Sequence, residues 1–191
     1  MADSDSVLRD YNGVKIPLSG TYDIDKAHTV VEFVARHLMI SKVRGRFTSF
    51  EGSFTIGEDP ANTTLDVTID AASISTSEDQ RDGHLKSPDF LEVEKYPQIT
   101  YKGTSVDIHP DGTGTVHGEL TIHGITKPLD LHLEFEGASV AYNDTYRVGF
   151  TASAEINRED FGLTWNQALE GGGVLVGRNI KIELDVQAIK R

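Results

Sequence analysis

Residues 43–56 read VRGRFTSFEGSFTI, and the rhythm of this stretch decides the fold. Val43, Gly45 and Phe47 alternate with Arg44, Arg46 and Thr48, the period of a strand with one buried face. After Ser49 the apolar set moves by one position and continues as Phe50, Gly52, Phe54 and Ile56, a change of parity that predicts a bulge or bend. At about 3.4 Å per residue such a strand extends roughly 45 Å if nearly straight, far longer than the usual strand of about five or six residues.

The same period runs outward in both directions. Val31, Phe33 and Ala35 alternate with Glu32, Val34 and Arg36. Further strands are predicted over 65–69, 99–107, 115–123, 129–135, 148–156 and 180–188, making eight or nine joined mostly by short connections. Glycines at 45, 52, 103 and 118 fall inside strands, where they permit the coiling that closure demands. The expectation is an all-β protein, an eight-stranded antiparallel barrel with room for one small ligand. Periodicity does not report closure, so a sandwich is the alternative. Residues 1–19 read as an N-terminal extension and residues 20–191 as a single domain.

One segment breaks the rhythm, RDGHLKSPDFLEVEKYP at 81–97. Ser77 and Gln80 have capping-box spacing, predicting a short helix from Glu78, and Ser87-Pro88 repeats the start signal for a second. The insert is thus expected around residues 78–92. Arg81, His84 and Leu85 share a face through their spacing, and Leu85, Phe90 and Leu91 would close a barrel end.

Composition excludes several classes of function. The 191 residues contain no cysteine, so no disulfide framework, thiolate metal site or thiol nucleophile exists. A net charge of −12 repels phosphate backbones and anionic headgroups, which argues against nucleic acid and against electrostatic membrane docking, and no stretch approaches the length of a membrane span, so no stable membrane insertion is expected. The opening MADSDSVLRDYNGVKIPLSG has no basic start followed by an apolar run, and the expected location is cytoplasmic. Homodimerisation through the rim loops or a barrel face stays open.

Candidate chemistry is sparse. Arg81 and His84 beside Leu85 could meet a polar headgroup at a pocket mouth, or hold the insert to the barrel. An enzymatic alternative makes His84 an acid/base for a small apolar substrate. A third possibility is a filled barrel that acts as a surface interaction module. Ser87 near His84 and Asp82 has the ingredients of a hydrolase, but no Gly-x-Ser-x-Gly elbow occurs. His117 and His132 would lie opposite each other if a hairpin turned around Gly124-Ile125, with Glu119 facing Asp130, yet that face points to solvent and no metal site is expected. Glu170-Gly171-Gly172-Gly173 lacks the Lys-Ser/Thr of a phosphate loop and reads as a rim loop.

Four ordered motifs resemble the YceI-like family. The first is Asp25-x-x-His28-Thr29-x-Val31-x-Phe33, continued by His37-Leu38-x-x-Ser41-x-Val43-x-Gly45-x-Phe47-x-x-Phe50-x-Gly52. The second is Arg81-Asp82-x-His84-Leu85-x-Ser87-x-Asp89-Phe90, followed by Tyr96-Pro97-x-x-Thr100. Gly118-x-Leu120-x-Ile122-His123-Gly124-x-Thr126-Lys127-Pro128 and Ile156-Asn157-Arg158-x-x-Phe161-Gly162 complete the set. Leu91 stands where many relatives have a second Phe. The resemblance implies a lipocalin-like barrel whose tunnel binds, stores or transports a long-chain polyisoprenoid, an isoprenoid quinone or a similar amphiphilic lipid, without catalysis, cofactor or metal. On that reading Phe33, Ala35, Phe47, Phe50, Leu85, Phe90, Phe161 and Trp165 line or close the tunnel. His37, Arg81, His84 and Arg158 are the headgroup candidates.

Overall fold

The computed structural model describes residues 7–141 and 143–191. The chain opens with a small hairpin of β1 (Leu8–Tyr11) and β2 (Val14–Pro17). Its turn is Asn12-Gly13, with φ of 53° and 85°, both in the left-handed region that a two-residue hairpin turn needs and that Asn and Gly tolerate best.

Three long strands follow, each broken near its middle. β3 (Gly20–Ile24) and β4 (Val30–His37) are separated by a 3-10 turn over Lys26–His28, capped by the Asp25 carboxylate. β5 (Ser41–Phe47) and β6 (Phe50–Ile56) part at the predicted change of parity. There the Thr48 N–H donates to Ser73 O at 3.2 Å and Ser49 O accepts from Asp70 N at 2.9 Å, which fixes the bend. β7 (Thr64–Asp70) and β8 (Ile74–Ser75) flank a 3-10 turn at Ala71–Ser73. The remaining strands are β9 (Gln98–Ile108), β10 (Thr113–Ile122), β11 (Ile125–Pro128), β12 (Leu131–Val140), β13 (Tyr146–Asn157) and β14 (Val176–Lys190).

Closure settles barrel against sandwich. Every pairing is antiparallel, and the ring β3-β6-β7-β9-β10-β12-β13-β14 returns on itself where Ala188 of β14 pairs with Ile24 of β3. Toward the other end β14 pairs with β4, β4 with β5, and β5 with the short β8. Among the described residues β8 does not pair with β9, and the insert occupies the chain between them.

That insert contains one helix, not two. In α1 (Asp79–Lys86) the cap is Glu78, whose carboxylate accepts from Gln80 N at 3.1 Å and Arg81 N at 2.7 Å, while Ser77 sits outside at φ 62°. Ser87 starts no second helix because its hydroxyl is engaged behind it, donating to His84 O at 2.7 Å. Residues 87–95 run as turns instead, with Leu91 N donating to Leu85 O and Val93 N to Lys86 O.

The strand predicted over 129–135 is β12, which starts two residues later and runs on to Val140, with β11 a separate element before it. The hairpin between β10 and β11 turns at His123-Gly124, with φ of 53° and 72°, one residue earlier than expected. Opposing partners therefore move by two: Thr115 faces His132, and Glu119 faces Pro128. His117 sits instead between two carboxylates, Nε2 at 2.9 Å from Asp107 and Nδ1 at 2.9 Å from Asp130, so His117 and His132 form no joint site.

Candidate functional site: an apolar cavity inside the barrel

Because alternate residues of each strand point inward, the interior is defined by the apolar half of the sequence. The inward set leaves a cavity of about 340 Å³, within the range of roughly 300–1,000 Å³ typical of small-molecule sites. Its wall includes Phe33 and Ala35 of β4, Phe47 of β5, Phe50 and Phe54 of β6, Leu65, Val67 and Ile69 of β7, and Ala152 of β13. Gly45 matters to this wall: a Cβ there would lie 2.3 Å from Phe33 Cζ, so the bare backbone is what lets the Phe33 ring lie across β5. Phe33 and Phe47 then pack with ring centroids 5.8 Å apart.

Of the polar residues on the wall, Tyr101, Thr29 and Arg158 are held by hydrogen bonds, and Glu32 and Thr63 are the others. Tyr101 Oη donates to Leu129 O at 2.9 Å, and its burial pushes the phenol above its ordinary pKa. Thr29 Oγ1 donates to Gln187 O at 3.2 Å. Arg158 is 3% exposed, with Nε donating to Gly177 O at 3.0 Å and one terminal nitrogen to Leu163 O at 2.5 Å. Burial pulls its pKa down from the usual guanidinium range. Among the described residues no buried side-chain nitrogen or oxygen lacks a partner. The cavity therefore offers mainly hydrocarbon contact.

The N-terminal hairpin closes one end. Ile16 is 5% exposed, and Ile16 and Pro17 line the cavity. Arg9 clamps the hairpin by donating to Pro17 O, Gly57 O and Glu58 O at 3.1, 2.6 and 2.5 Å. Tyr146 Oη adds a bond to Val7 O. These contacts give the first residues a role that the sequence reading left blank; the signal was the Asn12-Gly13 turn followed by Ile16-Pro17-Leu18.

At the opposite end stand the insert, the β4–β5 turn, the His123-Gly124 turn and the segment 158–175. Leu85 and Phe90 line the cavity from the insert. A polar brace holds the helix to β8: Arg81 Nε donates to Thr76 Oγ1 at 2.7 Å, and Asp82 Oδ1 accepts from Thr76 N at 2.8 Å and from its hydroxyl at 2.5 Å. His84 Nε2 meets Asp89 Oδ2 at 2.8 Å, and its ring stands edge-on to Phe90 and Trp165.

Of the residues expected on the tunnel, Phe33, Ala35, Phe47, Phe50, Leu85 and Phe90 line the cavity. Phe161 and Trp165 do not. Phe161, 3% exposed, ends the 3-10 turn Arg158–Phe161 and is buried in the hydrophobic core without lining the cavity. Trp165 packs against Phe90 with the rings tilted by 51° and their centroids 5.3 Å apart. Among the headgroup candidates only Arg158 touches the cavity; His37, Arg81 and His84 lie off it, the last two engaged in the insert.

Comparison with known proteins agrees with this architecture. A UPF0312 protein of Staphylococcus aureus is 39% identical over 171 residues, covering 87% of this chain and 95% of its own. The Campylobacter jejuni YCEI protein superposes with a TM-score of 0.69 at 30% identity, over 82% of this chain and 90% of that one. A polyisoprenoid binding domain from Saccharophagus degradans shares the fold at 16% identity, with a TM-score of 0.67 over 89% and 98%. The model of the YceI-like domain matches residues 22–188, and the chain belongs to that family.

Proposed function

We propose that this protein binds a long-chain polyisoprenoid or a similar amphiphilic lipid in its barrel and stores or carries it, without catalysing a reaction. The observation that carries this reading is the cavity itself: an apolar space inside the barrel, with Tyr101, Thr29 and Arg158 on its wall hydrogen-bonded elsewhere. Hydrocarbon contact at about 0.8 kcal/mol per buried methylene is sufficient to hold a long chain. Because the wall is almost wholly apolar, affinity should follow chain length more than headgroup. The name of the Saccharophagus domain, which shares the fold, supports the ligand class.

The test is solvent extraction of the purified protein followed by mass spectrometry, with competition by prenols of increasing length against a fluorescent apolar probe. Co-purifying lipid and competition that strengthens with length are expected. Absence of both would overturn the reading.

A further inference from the structure

The β4–β5 hairpin is chemically unlike the rest of this surface. The chain has 30 acidic residues against 18 basic, yet no Asp or Glu falls between Phe33 and Phe50, a stretch that holds Arg36, Lys42, Arg44 and Arg46. All four are exposed. Arg44 pairs with Glu183 at 2.7 Å, whereas the side chains of Arg36, Lys42 and Arg46 make no hydrogen bond or ion pair among the described residues. The apex between these cations is apolar: Met39 is 56% and Ile40 81% exposed.

The backbone adds an independent observation. Ile40 N donates to His37 O at 3.1 Å across a two-residue turn, with φ of 52° at Leu38 and 60° at Met39. This conformation favours Asn-Gly, as at Asn12-Gly13 of the first hairpin. Here a Leu-Met pair holds it against preference and projects aliphatic side chains outward, which folding alone does not ask for. Beside the apex runs a surface groove of about 680 Å³ lined by Met39, Val174, Arg36, Lys42, Arg178 and Lys181. Its two carboxylates are engaged, Glu155 by Asn179 and Glu183 by Arg44 and Lys181.

We propose that this hairpin is a docking tip for an anionic bilayer. Met39 and Ile40 enter the boundary between headgroups and acyl chains, and Arg36, Lys42 and Arg46 contact lipid phosphates. The proposal rests on reading the barrel as a lipid carrier and gives that carrier a loading end, since Ala35, Val176 and Ile180 beside the tip line the cavity. A net charge of −12 does not oppose it when the tip leads, because charges farther from the surface than about 8–10 Å are largely screened. RNA or an acidic protein would use the same cations but has no use for two aliphatic side chains at the apex. A bilayer uses both.

Flotation with vesicles of phosphatidylcholine, alone or mixed with phosphatidylglycerol, tests this with the full chain. Binding is expected only to the mixed vesicles and should weaken with salt. Each Lys or Arg near an anionic surface contributes about fivefold, so Arg36→Glu with Lys42→Glu should lower partitioning by at least about 25-fold. Met39→Ser with Ile40→Ser should lower it by about tenfold or more. All four positions are exposed, and thermal melts together with prenol competition check that the barrel is intact. No binding by the unmodified protein overturns the proposal. So does binding that survives the Met39/Ile40 change, which would mark a polyanion site such as one for RNA. An unmodified protein that competes for prenols but binds no vesicles sinks docking alone, whereas tip-dependent vesicle binding without prenol competition sinks the carrier reading and leaves docking standing.

Discussion

Replacing Arg158 with Met distinguishes a ligand contact from a structural brace. The guanidinium reaches Gly177 O, Leu163 O and Val176 O, two of these bonds buried, and so ties the start of β14 to the turn that ends β13. Methionine keeps much of the volume but leaves two buried carbonyls unsatisfied, each costing about 1–3 kcal/mol. A loss of roughly 3–4 kcal/mol follows, which in a chain of this size lowers Tm by about 6–16 °C. Calorimetry measures the loss, and probe displacement at low temperature, where the variant is still folded, measures affinity. The expected pairing is a large drop in Tm with nearly unchanged affinity for prenols and for prenyl phosphates alike. An unchanged Tm with selective loss of phosphate-headed ligands would refute the reasoning and make Arg158 a headgroup residue.

Three further outcomes are expected. Ala152→Phe places a ring in the cavity at the middle of β13; displacing two or three methylenes at about 0.8 kcal/mol each weakens a long prenol roughly 15- to 60-fold, while an unchanged affinity in the folded variant would mean that the chain does not seat there. Arg9→Ala unclamps the N-terminal hairpin and should accelerate probe release in stopped flow severalfold, whereas an unchanged rate would leave the insert end as the sole route. For His117, hydrogen bonds from Asp107 and then Asp130 raise the pKa above its ordinary value of about 6.5. The folded state holds that proton more tightly, so the contribution to stability is full below about pH 6.5 and disappears as pH rises through the raised value; the urea-midpoint difference between the wild type and His117→Gln should shrink with rising pH, and a difference that grows would show a histidine held neutral.

The strands and their inward faces were legible because side-chain direction has a period of two, and the same alternation that marked Phe33, Phe47 and Phe50 places them on the cavity wall. Local shifts were harder to read. The turn at His123-Gly124 differs by a single residue from one at Gly124-Ile125, yet it moves every opposing pair by two and separates His117 from His132. Ser77 and Ser87 carried capping chemistry in the sequence, but one lies just outside the helix and the other closes it from behind, a distinction set by backbone dihedrals and not by residue type. Phe161 and Trp165 are as apolar as the wall residues. What keeps them off it is the path of the chain after β13, which no periodicity encodes.

The polar residues of the insert illustrate why an apolar cavity needs polar support around it. β8 is only two residues long and cannot continue the ladder to β9, so the wall between them must be built from side chains on a short helix of weak intrinsic stability. Arg81, Thr76 and Asp82 hold that helix by side-chain bonds, His84 and Asp89 fix its far edge, and Leu85 and Phe90 are thereby presented to the cavity. Every bond made in this brace removes a donor or acceptor that could otherwise have read a ligand's head. On the proposed function, the chemistry that keeps the wall closed is thus the chemistry that would leave recognition to chain length inside the barrel, and contact with charged lipid to the proposed tip outside it.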